Sequence, residues 1–267
     1  MTEHRDALAD FTRTEFTAEG KPRDVYRIGS GPGVVVISEM PGITPRVADF
    51  GRLLAREGFT AALPHVFGEP GRPPSPGYIL RSISWGCVSR EFATMATRRT
   101  SPVTTWLRAL ARSLHAELGG PGVGVVGMCF TGGFALAMMV DDAVMAPVLS
   151  QPSLPFPVGR ARRRDLGISD EDLERVKQRV DDGVCVLGLR FTGDPAVPAD
   201  RFQRLRDELG DGFVGVEIDS SQGNPWGLKK GAHSVLTEEL KEDDPEHPTR
   251  HALDEVLDLF RTRLKSP

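Results

Sequence analysis

The sequence predicts an α/β protein, a mainly parallel twisted sheet flanked by helices. Short β-branched runs alternate with longer amphipathic segments along the 267 residues, the signature of strand-helix units in which each crossover covers a sheet face. Hydrophobic residues make up 39% and charged residues 26%, a balance that supports a packed core and is too apolar for a disordered chain. At this length a single domain is the expectation.

The elements follow in order. Residues 12–17 and 24–28 read as an antiparallel edge hairpin, and 34–38 (VVVIS) and 60–64 (TAALP) as strands on either side of a helix over 45–57. Residues 67–102, rich in Gly, Pro and Arg, break the rhythm before a helix at 103–118, a strand at 123–127 (VGVVG) and an Ala-rich helix at 131–140. A strand at 143–149 leads into a second irregular stretch, 150–168. A helix at 169–181 follows, with Ser169 as cap and Glu171 and Asp172 at its positive end. Strands at 185–191 and 213–218 flank a helix at 198–209, and Leu253, Val256, Leu257 and Phe260 mark the final helix over 249–263. Both irregular stretches follow strands, so both are expected as lid-like insertions over the carboxyl edge of the sheet, where ligands bind in open α/β folds.

Charge and composition exclude several functions. With 33 Lys and Arg against 37 Asp and Glu the formal charge is −4, and apart from the run Arg160–Arg164 the basic residues are scattered, unlike a nucleic-acid-binding surface. The N-terminal stretch MTEHRDALADFTRTEF lacks the apolar run of a signal peptide, and no later stretch has the length of a membrane span, so a cytoplasmic protein is expected. Cys87, Cys129 and Cys185 show neither CxxC nor Cys/His ligand spacing, so no disulfide framework, metal or cofactor is expected. The expected assembly is a monomer or homodimer.

The sharpest local feature is Gly127-Met128-Cys129-Phe130-Thr131-Gly132-Gly133, where an apolar strand runs through a tight turn into a helix. A nucleophile on such a turn is exposed in a strained backbone, small neighbours let strand and helix pass closely, and the helix N-terminus offers amides to a developing oxyanion. Thr131 stands where the GxSxG pattern has its second glycine. A buried packing cysteine and a dinucleotide phosphate loop are the competing readings, the second lacking its fingerprint.

In the α/β-hydrolase arrangement the chain order is nucleophile, acid, histidine, which gives two further tests. Asp194 lies just past a strand end in the turn Gly193-Asp194-Pro195, where a simple Asp-Pro turn former is the alternative reading. Among six histidines, His233 alone falls between the last strand and the last helix, with His65 a secondary candidate to line a site.

These residues resemble the dienelactone hydrolase family, the Cys-nucleophile branch of the α/β-hydrolase fold. The resemblance runs from about residue 30 to 262 and rests on VVVISEMPGITPRVADFGRLLAREGFTAALPHVFG, GMCFTGG, the Asp194 turn and Gly231-Ala232-His233-Ser234. It implies that Glu39 contacts the thiol of Cys129 and helps govern its ionisation. It also implies that the Met40 and Phe130 amides form an oxyanion hole. The family's carboxylate-binding arginine, three residues after Ser234, is replaced by Thr237. Arg81 and Arg90 are the cations available in the segment YILRSISWGCVSREF, with Tyr78 and Trp85 as candidate lining of an apolar pocket and Ser234 as a further substrate-binding candidate. The expected activity is hydrolysis of a small-molecule lactone or activated ester through Cys129, His233 and Asp194. An esterase or thioesterase of different range, or a non-hydrolytic binding protein, are the alternatives.

Overall fold

The computed structural model describes residues 5–88 and 101–265, and within these the side chains of 5, 6, 83 and 85–88 are left aside. Eight strands form one sheet: β1 (Thr12–Ala18), β2 (Lys21–Gly29), β3 (Gly33–Ile37), β4 (Thr60–Pro64), β5 (Val123–Met128), β6 (Val144–Ser150), β7 (Val186–Phe191) and β8 (Phe213–Ile218). Their order is β1-β2-β4-β3-β5-β6-β7-β8, with β2 antiparallel to β1 and β4 and every later pair parallel. The expected hairpin is therefore the sheet's antiparallel margin, and the six strands that follow it in the chain match those expected within a residue or so.

Alternation along the strands divides the core into two layers. On β3, Val34 and Val36 face α1 (Pro45–Arg56) and α8 (Pro248–Leu264), whose Phe50, Leu54, Val256 and Phe260 are buried with them. Val35 and Ile37 face the opposite layer, with Trp106 and Leu107 of α3 (Pro102–Leu118), Phe134 of α4 (Gly132–Met138), Val176 of α6 (Asp170–Asp181) and Phe202 of α7 (Ala199–Leu209). Each such fully buried side chain contributes about 1.5–3 kcal/mol over its exposed state. α1 starts at Pro45 behind Thr44, whose hydroxyl accepts from Val47 N, and α6 starts behind Ser169, which caps Asp172 N.

Two helices lie inside stretches expected to be irregular: α2 (Pro76–Val88) and the short α5 (Gly159–Arg163). For α2, Gly and Pro richness masked a helix whose proline sits at the first turn, where a missing N–H costs nothing. Among the described residues no helix is long and apolar enough to cross a membrane.

Candidate active site

Parallel strands deliver their following residues to one edge, and the functional candidates gather there. Glu39 follows β3, Cys129 follows β5, Asp194 follows β7, and His233 lies in the long connection between β8 and α8. Together with Met40, Ser234, Ser153, Ile79, Phe156 and Glu238 they line a cleft of about 470 Å³.

Cys129 occupies the left-handed backbone region at φ 53, a conformation that costs a non-glycine residue on the order of 1–3 kcal/mol. The turn is built around it by three neighbours. A Cβ on Gly127 would stand 2.4 Å from Thr131 O, and one on Gly132 would stand 2.5 Å from Pro152 Cα, so both positions require glycine. Thr131 is fully buried; its hydroxyl reaches the carbonyls of Ile37 at 2.8 Å and Met128 at 2.9 Å and accepts from Met128 N at 3.0 Å. The residue that breaks the GxSxG pattern thus stitches the turn to the end of β3.

His233 Nδ1 lies 2.6 Å from Asp194 Oδ2, and Asp194 is 5% exposed, so the imidazole is oriented by a buried carboxylate. Burial disfavours the imidazolium. The hydrogen bond donated to Asp194, then the hydrogen-bond and charge influence of Cys129, outweigh it and raise the His233 pKa from 6.5 to about 11. The charged form of the ring is therefore favoured at neutral pH.

Glu39 is 4% exposed, and its carboxylate is fully engaged. Ser234 Oγ donates to Oε2 at 2.6 Å, Gln151 Nε2 donates to Oε2 at 3.2 Å, and Thr237 Oγ1 donates to Oε1. Thr237, standing where the resemblance has an arginine, is a buried neutral partner of this carboxylate. Among the described residues Glu39 forms no hydrogen bond to Cys129. The sulfur instead lies 3.4 Å from Ser153 Oγ. Burial, and then the Glu39 charge, push the carboxyl of Glu238 above its ordinary value.

The other candidates divide. Ser234 lines the cleft, but its hydroxyl is committed to Glu39. Phe130 packs edge-on against Phe67 and Phe156, each at 6.3 Å between ring centres. Arg81 is not at this cleft: it borders a separate, larger cavity of about 970 Å³ with Tyr78 and His65, and pairs with Glu69 at 3.1 Å. The reason is helical phase. Ile79 of α2 points into the cleft, and two residues on, about 200° around the axis, Arg81 points away beside Tyr78 and Ser82. The larger cavity holds none of Cys129, His233, Asp194 and Glu39. Arg90 and the side chain of Trp85 lie outside the described residues.

Ser153 and Gln151 escaped the sequence reading. Their one signal was position, immediately after a buried strand at the carboxyl edge. Gln151 is fully buried at φ 36, a second strained non-glycine backbone at the site.

The sequence profile of the Dienelactone hydrolase family matches residues 20–264. Among solved structures, a dienelactone hydrolase-like promiscuous phosphotriesterase, P91, from metagenomic libraries is 17% identical, covering 96% of this chain and 98% of that one at TM-score 0.64. A dienelactone hydrolase from Anabaena variabilis is 15% identical, covering 96% and 98% at TM-score 0.61. A cold-adapted esterase from an Arctic intertidal metagenomic library is 17% identical, covering 95% and 93% at TM-score 0.57. These likenesses show the α/β-hydrolase fold. No curated protein sequence matches the chain.

Proposed function

Because the chain belongs to the dienelactone hydrolase family, a family of hydrolases, we propose that it cleaves a lactone or activated ester through Cys129, His233 and Asp194. One observation carries the reading: a sulfur on a positive-φ turn lines a single cleft with an imidazole whose Nδ1 is 2.6 Å from a buried carboxylate.

In the proposed reaction Cys129 Sγ, its proton held by His233, forms a bond to the carbonyl carbon. The carbonyl oxygen becomes an oxyanion facing the Met40 and Phe130 amides, and the tetrahedral adduct collapses with loss of the alcohol or enol, which takes the proton from His233. A water then attacks the thioester, gives a proton to His233, and the carbon–sulfur bond breaks to return the sulfur. Asp194 keeps the imidazole in the orientation both halves need. Thiolate is a better leaving group than alkoxide, so the first adduct reverts unless the substrate's own leaving group is good. That favours enol lactones, aryl esters and thioesters over amides.

Replacing Cys129 by Ala is expected to abolish hydrolysis of p-nitrophenyl acetate, a loss of at least about a thousandfold in kcat. Survival of activity in a folded Cys129→Ala protein would remove Cys129 as the nucleophile. Mass spectrometry of the wild-type protein quenched during turnover is expected to show the acyl group on the Cys129 peptide.

A further inference from the structure

We propose that Ser153 is a catalytic residue whose hydroxyl donates a hydrogen bond to Cys129 Sγ, a contact that Glu39 does not make among the described residues. The proposal rests on Cys129 being the nucleophile, and its test is chosen to separate the two.

Three observations carry it. Ser153 Oγ lies 3.4 Å from Cys129 Sγ, and Ser153 is 2% exposed. Among the described residues the sulfur is the hydroxyl's one hydrogen-bond partner. A buried hydroxyl deprived of its partner is destabilising, so the pair is built rather than incidental. Second, the two residues are also joined through the backbone, Ser153 N donating to Cys129 O at 3.0 Å, which fixes the register of the side chains. Third, the segment carrying Ser153 is held from both sides. Gln151 N donates to Leu189 O at 2.7 Å, and its side chain spans Val235 N and Glu39. The buried Arg201 guanidinium donates to the carbonyl of Pro152 at 2.6 Å and also to that of Pro155. Ser153 therefore has little freedom to turn elsewhere.

The direction of the bond follows from the proton's location. With the proton on His233 the sulfur has none to give, and a serine hydroxyl must donate. A charge-assisted bond of this kind is stronger than a neutral one. It acts when the sulfur is charged, before attack and again as the thioester breaks, and weakens in the acyl-enzyme, where the sulfur is neutral. Glu39 is occupied by Ser234, Thr237 and Gln151, all three of which donate to it.

The experiment is alkylation of Cys129 by iodoacetamide across pH, with the adduct assigned by peptide mass spectrometry so that Cys87 and Cys185 do not contribute. In Ser153→Ala the pH of half-maximal alkylation rate is expected to rise by about one unit, and kcat for p-nitrophenyl acetate to fall about tenfold with KM within about twofold. Ser153→Thr, which keeps the hydroxyl, is expected to restore both. A wild-type alkylation profile in folded Ser153→Ala overturns the proposal, as does the same shift appearing in Glu39→Gln instead. If Cys129→Ala retains hydrolysis, the nucleophile assignment fails. If Cys129→Ala is inactive while Ser153→Ala is unchanged, only the role of Ser153 fails.

Discussion

At the scale of single residues, the site gathers backbone strain and charge where packing alone would avoid both. Among the described residues, two of the three non-glycine positions with positive φ, Cys129 and Gln151, stand beside the cleft, and the third, Glu19, lies in the tip of the β1–β2 hairpin. His233 shows what the gathered charges do. Its pKa of about 11 sets burial, which lowers it, against the hydrogen bonds and charges of Asp194 and Cys129, which raise it, so deleting a partner should be visible on the ring itself. In Cys129→Ala, and separately in Asp194→Asn, the His233 titration followed by imidazole NMR is expected to move down from about 11 toward 6.5. A ring that titrates as in the wild type in both variants would dissociate it from its neighbours. Cys129, Asp194 and His233 were legible in the sequence because chain order and strand position constrain them jointly. Ser153 and Gln151 were not, since a serine and a glutamine after a strand resemble any loop. Only the folded sheet edge brings Gln151 to Glu39, 112 residues away.

At the scale of elements, the parallel strands and long helices were legible because their apolar periodicity is what the two-layer core demands. The cleft walls were not, because they are made by stretches whose composition is dominated by turn formers. The stretch after β6 is organised by a residue from another element. Arg201 of α7, 1% exposed, donates to the carbonyls of Pro152, Pro155, Arg162 and Asp165, and burial lowers its own pKa to about 10. One guanidinium thus satisfies four acceptors of a segment that has little regular structure. Arg201→Met is expected to destabilise the protein by about 2–4 kcal/mol, read as a lower urea midpoint at unchanged slope. It is also expected to raise KM, since Ser153 and Phe156 ride on the same stretch. An unchanged midpoint would mean the segment holds its shape without the arginine.

At the scale of the whole molecule, the cleft's charge bears on what it admits. Glu39 and Glu238 face it, its remaining walls include Met40, Ile79, Phe156 and Pro195, and no lysine or arginine lines it among the described residues. A substrate carboxylate placed there would meet like charge across a few ångströms, a repulsion of order several kcal/mol in a partly dry site. p-Nitrophenyl butyrate is therefore expected to exceed the p-nitrophenyl monoester of glutaric acid by at least about tenfold in kcat/KM, with the gap narrowing as salt is added. Equal rates would show that the two glutamates do not sense the acyl chain. The strapping of Glu39 reaches further still. Between β8 and α8 the chain runs through residues 219–247 with no helix or strand, and it is moored near its middle by Ser234 and Thr237. A tether of that kind turns one long wandering loop into two short ones, each with less freedom to lose. The carboxylate just past the third strand thereby moors Ser234, 195 residues downstream, and with it the neighbouring imidazole.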